Sequence, residues 1–168
     1  MKKGIFGSLI VILLIVPQAS YAFQNEPDGF RGIKWGTEIK TLKDMKLKED
    51  DGDSKFYKRK DDKLKIGDAD LQYISYSFYK NQFYLVMIGF QSLTNFTKLK
   101  ETLFEQYGEG NRTNRFMERY FWFGADVSIT LDYNEIRETG SISYFFKPIL
   151  DQIKLDQKNK AKKGAGDL

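Results

Sequence analysis

Apolar and polar positions follow two different periods along this chain, and the changes of period mark its elements. The stretch from Leu71 to Phe90, LQYISYSFYKNQFYLVMIGF, is the densest apolar run beyond the N-terminal leader. It predicts two strands joined at Lys80-Asn81-Gln82, because Asn tolerates the positive φ of a tight hairpin and aromatic and β-branched residues flank it. The second strand is apolar on both alternations, with Tyr84, Val86, Ile88 and Phe90 on one face and Phe83, Leu85 and Met87 on the other. Such a strand belongs in the interior of a sheet that helices cover.

After Phe90 the period lengthens. Phe96, Leu99, Leu103 and Tyr107 recur at helical spacing, with Thr94 or Asn95 placed to cap the start and Gly108 the end. Arg115 to Phe123 reads as a strand with Phe116, Tyr120 and Trp122 at its even positions, closed by a turn at Gly124-Ala125. Val127, Ile129, Leu131 and Tyr133 then alternate with Ser128, Thr130 and Asp132, the mark of a half-buried strand. Ile142, Tyr144 and Phe146 return as a last strand ended by Pro148, followed by a short helix over Ile149 to Leu155 and a basic, disordered tail.

Upstream, Ile33 and Trp35 share one face of a short strand within Phe30–Thr37, and Thr37 is placed to cap a helix from Glu38 to about Met45 with Ile39 and Leu42 inward. The Gly36 turn beside Lys34 and Lys40 could hold an anion, but one Gly is far from a phosphate fingerprint and an ordinary turn accounts for it. Lys46–Glu49 and Lys55–Lys60 read as strands joined at Asp51-Gly52. The acidic run there lacks the residue order of a calcium loop. Together these elements predict an α+β fold, an antiparallel meandering sheet with two or three helices packed on one face.

Met1 to Ala22 has the parts of a secretory leader: Lys2 and Lys3, an apolar run from Ile5 to Val16, and Ser20-Tyr21-Ala22 as a cleavage site. The apolar run is shorter than a membrane-spanning helix needs. The expected organisation is therefore a leader over 1–22, one domain over 23–150, and a short helix with its tail over 151–168. The expected location is periplasmic or secreted, with no stable membrane anchor once the leader is removed.

Composition narrows the chemistry. There is no His and no Cys, which removes imidazole bases, thiol nucleophiles, disulfides and the usual zinc ligands. The formal charge of +4 halves when Lys2 and Lys3 leave with the leader, which gives no case for nucleic acid. No cofactor and no metal are expected, and a non-catalytic protein is the expectation. Aromatic residues make up 15% of the chain, a share that suits a β-rich core with large side chains.

Three candidate surfaces remain. Arg112, Arg115 and Arg119 cluster before and within one strand, with Arg115 and Arg119 expected on the same face, where they could bind a carboxylate or phosphate of a partner. Tyr76 and Tyr79, with Tyr73 and Tyr84, could form an aromatic platform. Glu118, Asp126, Asp132 and Glu135 supply carboxylates for hydrolysis, but no spacing draws them together. The leading expectation is a binding or accessory protein that recognises another envelope protein through a sheet face or edge. The alternative is a carrier of a small apolar ligand held between helix and sheet.

Phe30-Arg31-Gly32-Ile33-Lys34-Trp35-Gly36-Thr37 resembles the opening of small exported bacterial proteins of unknown function, in which a Gly-Ile-x-Trp-Gly element precedes a short helix. A later helix ending in Tyr-Gly, as at Tyr107-Gly108, belongs to the same resemblance. It implies a periplasmic-type domain over most of Phe30 to Phe146 and no catalytic residues.

Overall fold

The computed structural model describes residues 23–166, so the leader expected over Met1–Ala22 lies outside the described residues. The described chain opens with a small hairpin, β1 (Gly29–Phe30) and β2 (Ile33–Lys34), and a single 3-10 turn over Ile39–Thr41. Strands β3 (Met45–Asp51) and β4 (Ser54–Arg59) follow, then a two-stranded ribbon of β5 (Lys65–Ile66) and β6 (Ala69–Asp70). The predicted aromatic hairpin is β7 (Tyr73–Tyr79) and β8 (Gln82–Gln91). Helix α1 (Leu93–Tyr107) leads to β9 (Glu118–Phe123), β10 (Val127–Asn134) and β11 (Thr139–Phe146), and helix α2 (Lys147–Gly166) ends the described chain.

One seven-stranded antiparallel sheet, ordered β3-β4-β7-β8-β11-β10-β9, carries the fold, which is therefore α+β as the pattern predicts. Two meanders, β3 to β8 and β9 to β11, meet where β11 pairs with β8, and α1 makes the connection between them. The doubly apolar β8 is the central strand of the seven. Its hairpin turns at Lys80-Asn81, both at positive φ (46° and 69°), with Tyr79 paired to Gln82. Two such residues in succession twist the chain in the same sense as the strands they join.

A bulge sets Tyr84 as an extra residue between Phe83 and Leu85 and reverses the alternation locally. Phe78 and Phe83 thus join the main core, together with Tyr76, Val86, Ile88, Ile129 and Leu131. Against that face α1 packs Phe96, Leu99, Leu103 and Tyr107, the four residues its spacing predicts. Tyr79, Tyr84 and Leu85 turn to the opposite face, where Ile149 and Ile153 of α2 cover them beside Met87 and Phe145. The two helices therefore take opposite faces, where the pattern placed the helices on one. The chain enters α2 straight from β11, whose inward residues already alternate between the two cores.

The other differences have local causes. The helix expected over Glu38–Met45 shrinks to the 3-10 turn because the backbone before it is already paired. The Gly36 N–H donates to Phe83 O (2.8 Å), the Ile39 N–H to Asn81 O (2.9 Å), and the Phe83 N–H to Thr37 O (3.0 Å), so the segment stays extended. Phe30–Thr37 is a hairpin rather than a strand, turning at Arg31-Gly32, both at positive φ. Ser92, not Thr94 or Asn95, caps α1, accepting from the Asn95 N–H (3.3 Å). The short helix expected over Ile149–Leu155 runs from Lys147 to Gly166, with Pro148 in its first turn, where a missing N–H is tolerated.

Candidate functional site

The sequence-predicted tyrosines and arginines lie far apart in the sheet and in different environments. Tyr76 is wholly buried in β7, its phenol donating to Asp62 Oδ2 (2.7 Å). Burial, with that bond to the carboxylate, pushes its pKa well up. Tyr79 is buried under α2 and donates to Asp156 Oδ2 (2.8 Å). Neither is an exposed platform, because the main core covers one face of β7 and α2 covers the other at the hairpin end.

The three arginines stay together at the β9 end. Arg112 is fully engaged: its Nε donates to Met117 O (2.9 Å), and Nη2 donates to Arg115 O (2.9 Å) and to Glu118 Oε1 (2.5 Å). Glu118 also accepts from the Tyr120 phenol (2.7 Å), and burial followed by this carboxylate contact pushes Tyr120 up to about 12. Arg119 pairs with Asp132 on β10. Arg115 lies in the turn before the strand, not in it, with its guanidinium 4.7 Å from the centroid of the Phe116 ring. It does not share a strand face with Arg119. The turn begins the strand late because the Asn114 carboxamide accepts from the Phe116 N–H (2.9 Å) and the Asn114 carbonyl from Met117 N–H (3.2 Å).

β9 is an edge strand of the sheet. The Phe121 N–H and C=O both bond to Asn111 (3.0 and 2.8 Å), away from β10. By strand alternation, the backbone groups of Arg119 and Phe123 point the same way, and they meet no backbone partner among the described residues. Phe121 and Phe123 stack outside the core, centroids 5.8 Å apart, on the face opposite Tyr120 and Trp122. Phe123 is 65% exposed, and in the preceding turn Phe116 is 81% and Met117 42% exposed. A cleft of about 500 Å³ runs beside this edge, between Phe23 and Asn111 on one side and Phe121–Phe123 on the other.

Phe116, expected in the strand, lies in the turn before it, and Phe121 and Phe123 are not among the expected candidates. Their signal was present: β9 carries rings on both alternations, and only one set can face the core.

The N-terminal segment closes one end of the cleft. The Gln24 N–H donates to Tyr107 O (3.1 Å) and Asn25 Nδ2 to Gln106 O (2.9 Å), at the C-terminus of α1. Glu26 then accepts from three successive backbone N–H groups of the β9–β10 turn, Ala125 (2.8 Å), Asp126 (2.6 Å) and Val127 (2.5 Å). Burial raises its pKa, but these bonds and Lys147 outweigh it and hold the carboxyl below its ordinary value of 4.5. Stability from a lowered carboxylate is fully present above that ordinary value and is lost as pH falls through the folded one. Glu26→Gln is expected to cost about 1 kcal/mol at neutral pH, the scale of charge-assisted bonds at a partly exposed site. The difference should vanish at strongly acid pH. Urea midpoints at both pH values check this, and a constant offset would remove the carboxylate's charge from the account.

The carboxylates named for hydrolysis are not brought together. Glu118 and Asp132 are spent on Arg112 and Arg119, and Glu135 lies exposed in the β10–β11 turn. Among the described residues no group of three or more carboxylates is placed to hold a metal, and no helix is long and apolar enough to cross a membrane. Between α1 and the sheet, rings fill the space: Phe96 stacks on Tyr133 (4.6 Å), and Phe104 meets Tyr120 and Trp122 edge-on (5.4 and 5.9 Å). Compared with known proteins, the chain matches no family model, no curated protein and no solved structure.

Proposed function

We propose that this is an exported, non-catalytic binding protein that recognises another envelope protein through the β9 edge. The observation that supports it most is the half-open edge itself, with unpaired backbone at Arg119 and Phe123 beside exposed phenylalanines. A partner segment in extended conformation can add to such an edge through main-chain bonds, and side-chain pockets then select it. Phe, Met and Arg are the residue types enriched where proteins meet. Phe116, Phe123 and Met117 would be the anchors, and Arg115 the one arginine of the three free to meet a partner's carboxylate. Arg112 and Arg119 would hold the edge in shape. Export rests on the leader sequence and on the resemblance of the Gly-Ile-x-Trp-Gly opening.

The test is site-directed photo-crosslinking in intact cells, with the reactive side chain at position 123 and, for comparison, at the exposed Ile136. A discrete adduct from position 123 alone is expected. Phe116→Ala with Phe123→Ala should weaken binding to the captured protein by roughly a hundredfold, as loss of two interface anchors does, with the unfolding midpoint unchanged. Equal adducts from both positions, or binding indifferent to the two substitutions, would sink the reading.

A further inference from the structure

The near-neutral charge of the domain conceals a strong segregation within the β3–β4 hairpin. At its tip lie Glu49, Asp50, Asp51 and Asp53, and two of these have cations: Lys55 on Asp50 and Lys160 on Asp53. At its open end Lys43, Lys46, Lys48, Lys58 and Lys60 line a cleft of about 430 Å³ with Met45 and Arg59. All five lysines are exposed, and none is ion-paired among the described residues. The one carboxylate in the cleft, Asp44, is already taken by Arg59 Nε (2.5 Å).

Lysines on an edge strand often serve only to block pairing with other chains. That accounts for Lys46 and Lys48 on β3; Lys58 sits on β4, one residue past the Ser54–Tyr57 stretch that pairs with β7. Lys46 and Lys58 are direct cross-strand partners. Like charges so placed repel each other across a spacing of roughly 5 Å. The bulge between Leu47 and Glu49 adds Lys48 to the same group as an extra residue. The acids that could relieve this repulsion sit at the opposite end of the same hairpin. An anion carrying several charges would relieve it. Lysine ammonium groups meet phosphate as mobile point charges and need no fixed bidentate geometry.

We propose that the open end of the β3–β4 hairpin is a binding cleft for a multiply charged phosphate group, either free or as the headgroup of a lipid. It is separate from the β9 edge, at the other end of the sheet, and does not rest on that reading.

The test uses inorganic pyrophosphate and phosphatidic acid vesicles as probes at low ionic strength, read by calorimetry, thermal melting and co-sedimentation. Pyrophosphate should bind and raise the melting temperature, with an affinity that falls steeply with added salt. Lys46→Gln with Lys58→Gln should weaken binding by roughly tenfold or more and, without anion, melt no lower than the parent. Lys162→Gln with Lys163→Gln on α2 removes the same charge and should change binding by less than about twofold. Binding to pyrophosphate supports a free phosphate ligand, and binding to vesicles alone supports a headgroup. Equal losses in the two variants, or no binding of either probe, overturn the proposal.

Discussion

Asp62→Ala is expected to lower stability by roughly 2–4 kcal/mol, the range for stranding a buried donor and breaking a mostly buried ion pair. Asp62 is the carboxylate on which two separate parts of the N-terminal half converge. One oxygen takes Arg31 from the β1–β2 turn and the other takes the phenol of Tyr76 on β7. Arg31 also donates to the carbonyls of Lys63 and Lys65 (2.7 Å each), and its own carbonyl accepts from Arg59 (3.0 Å). Without Asp62, the Tyr76 hydroxyl loses its only hydrogen-bond partner among the described residues, at a site with 0% exposure. Arg31 keeps its carbonyl acceptors, which limits the loss. Tyr76→Phe removes the donor and leaves Asp62 on Arg31, so it should cost only about 1 kcal/mol. Adding Tyr76→Phe to Asp62→Ala should restore part of the loss, because no stranded hydroxyl remains. Urea unfolding of the three variants measures this. An Asp62→Ala midpoint no lower than that of Tyr76→Phe would show that the network carries no coupling.

That network also marks where reading the sequence stops. The alternation of Val127 to Tyr133, the helical spacing of Phe96 to Tyr107 and the Lys80-Asn81 turn are local signals, and each element forms where its signal lies. Tyr76 and Tyr79 differ because their fates depend on distant residues. Asp62 and α2 are the partners that turn them from a platform into core. Three residues apart in one strand, they point to opposite faces by alternation, so they could not form one platform. Tyr76 joins the main core with Ile74 and Phe78, and Tyr79 joins the core that α2 closes on the other face.

The candidate site was legible in part. The arginine cluster signals the β9 end, yet two of its three members serve the fold. Whether Arg119 is free depends on Asp132 being within reach, which the register of β9 on β10 decides, and Arg112 is taken because the loop before β9 folds it back onto Glu118. Phe121 and Phe123 escape a reading that assigns aromatic rings to the core. They stand out only once β9 is known to be the last strand, because that order follows from β11 pairing with β8. The Glu26 bonds to the β9–β10 turn span a hundred residues and have no local signature at all.

Gly140→Val should be the most damaging single change in the sheet, costing roughly 3 kcal/mol or more, at the upper end of overpacking in a closed core. Gly140 of β11 lies directly between Phe90 of β8 and Tyr133 of β10. Those two rings lie nearly parallel (8°) with centroids 6.2 Å apart, across the space its missing side chain leaves. Phe96 of α1 also stacks on Tyr133 (4.6 Å), so the ring that Gly140 makes room for is one the helix rests on. A Cβ here would come within 2.2 Å of Phe90 Cζ and 2.7 Å of the Asp132 carbonyl oxygen. Phe90 is fully buried and the carbonyl is backbone, so neither can retreat cheaply. Gly89 supplies the comparison. A Cβ there would meet the Tyr73 ring at 2.1 Å, an equal overlap on paper. Tyr73 is only half-buried, on the open face, and can swing towards solvent. Gly89→Ala is therefore expected to cost less than about 1.5 kcal/mol, the scale of a side-chain shift without a core rearrangement. Gly140→Ala should already exceed it. Equal losses for Gly89→Ala and Gly140→Ala in urea unfolding would mean that overlap alone, and not the freedom of the neighbour to move, sets the cost.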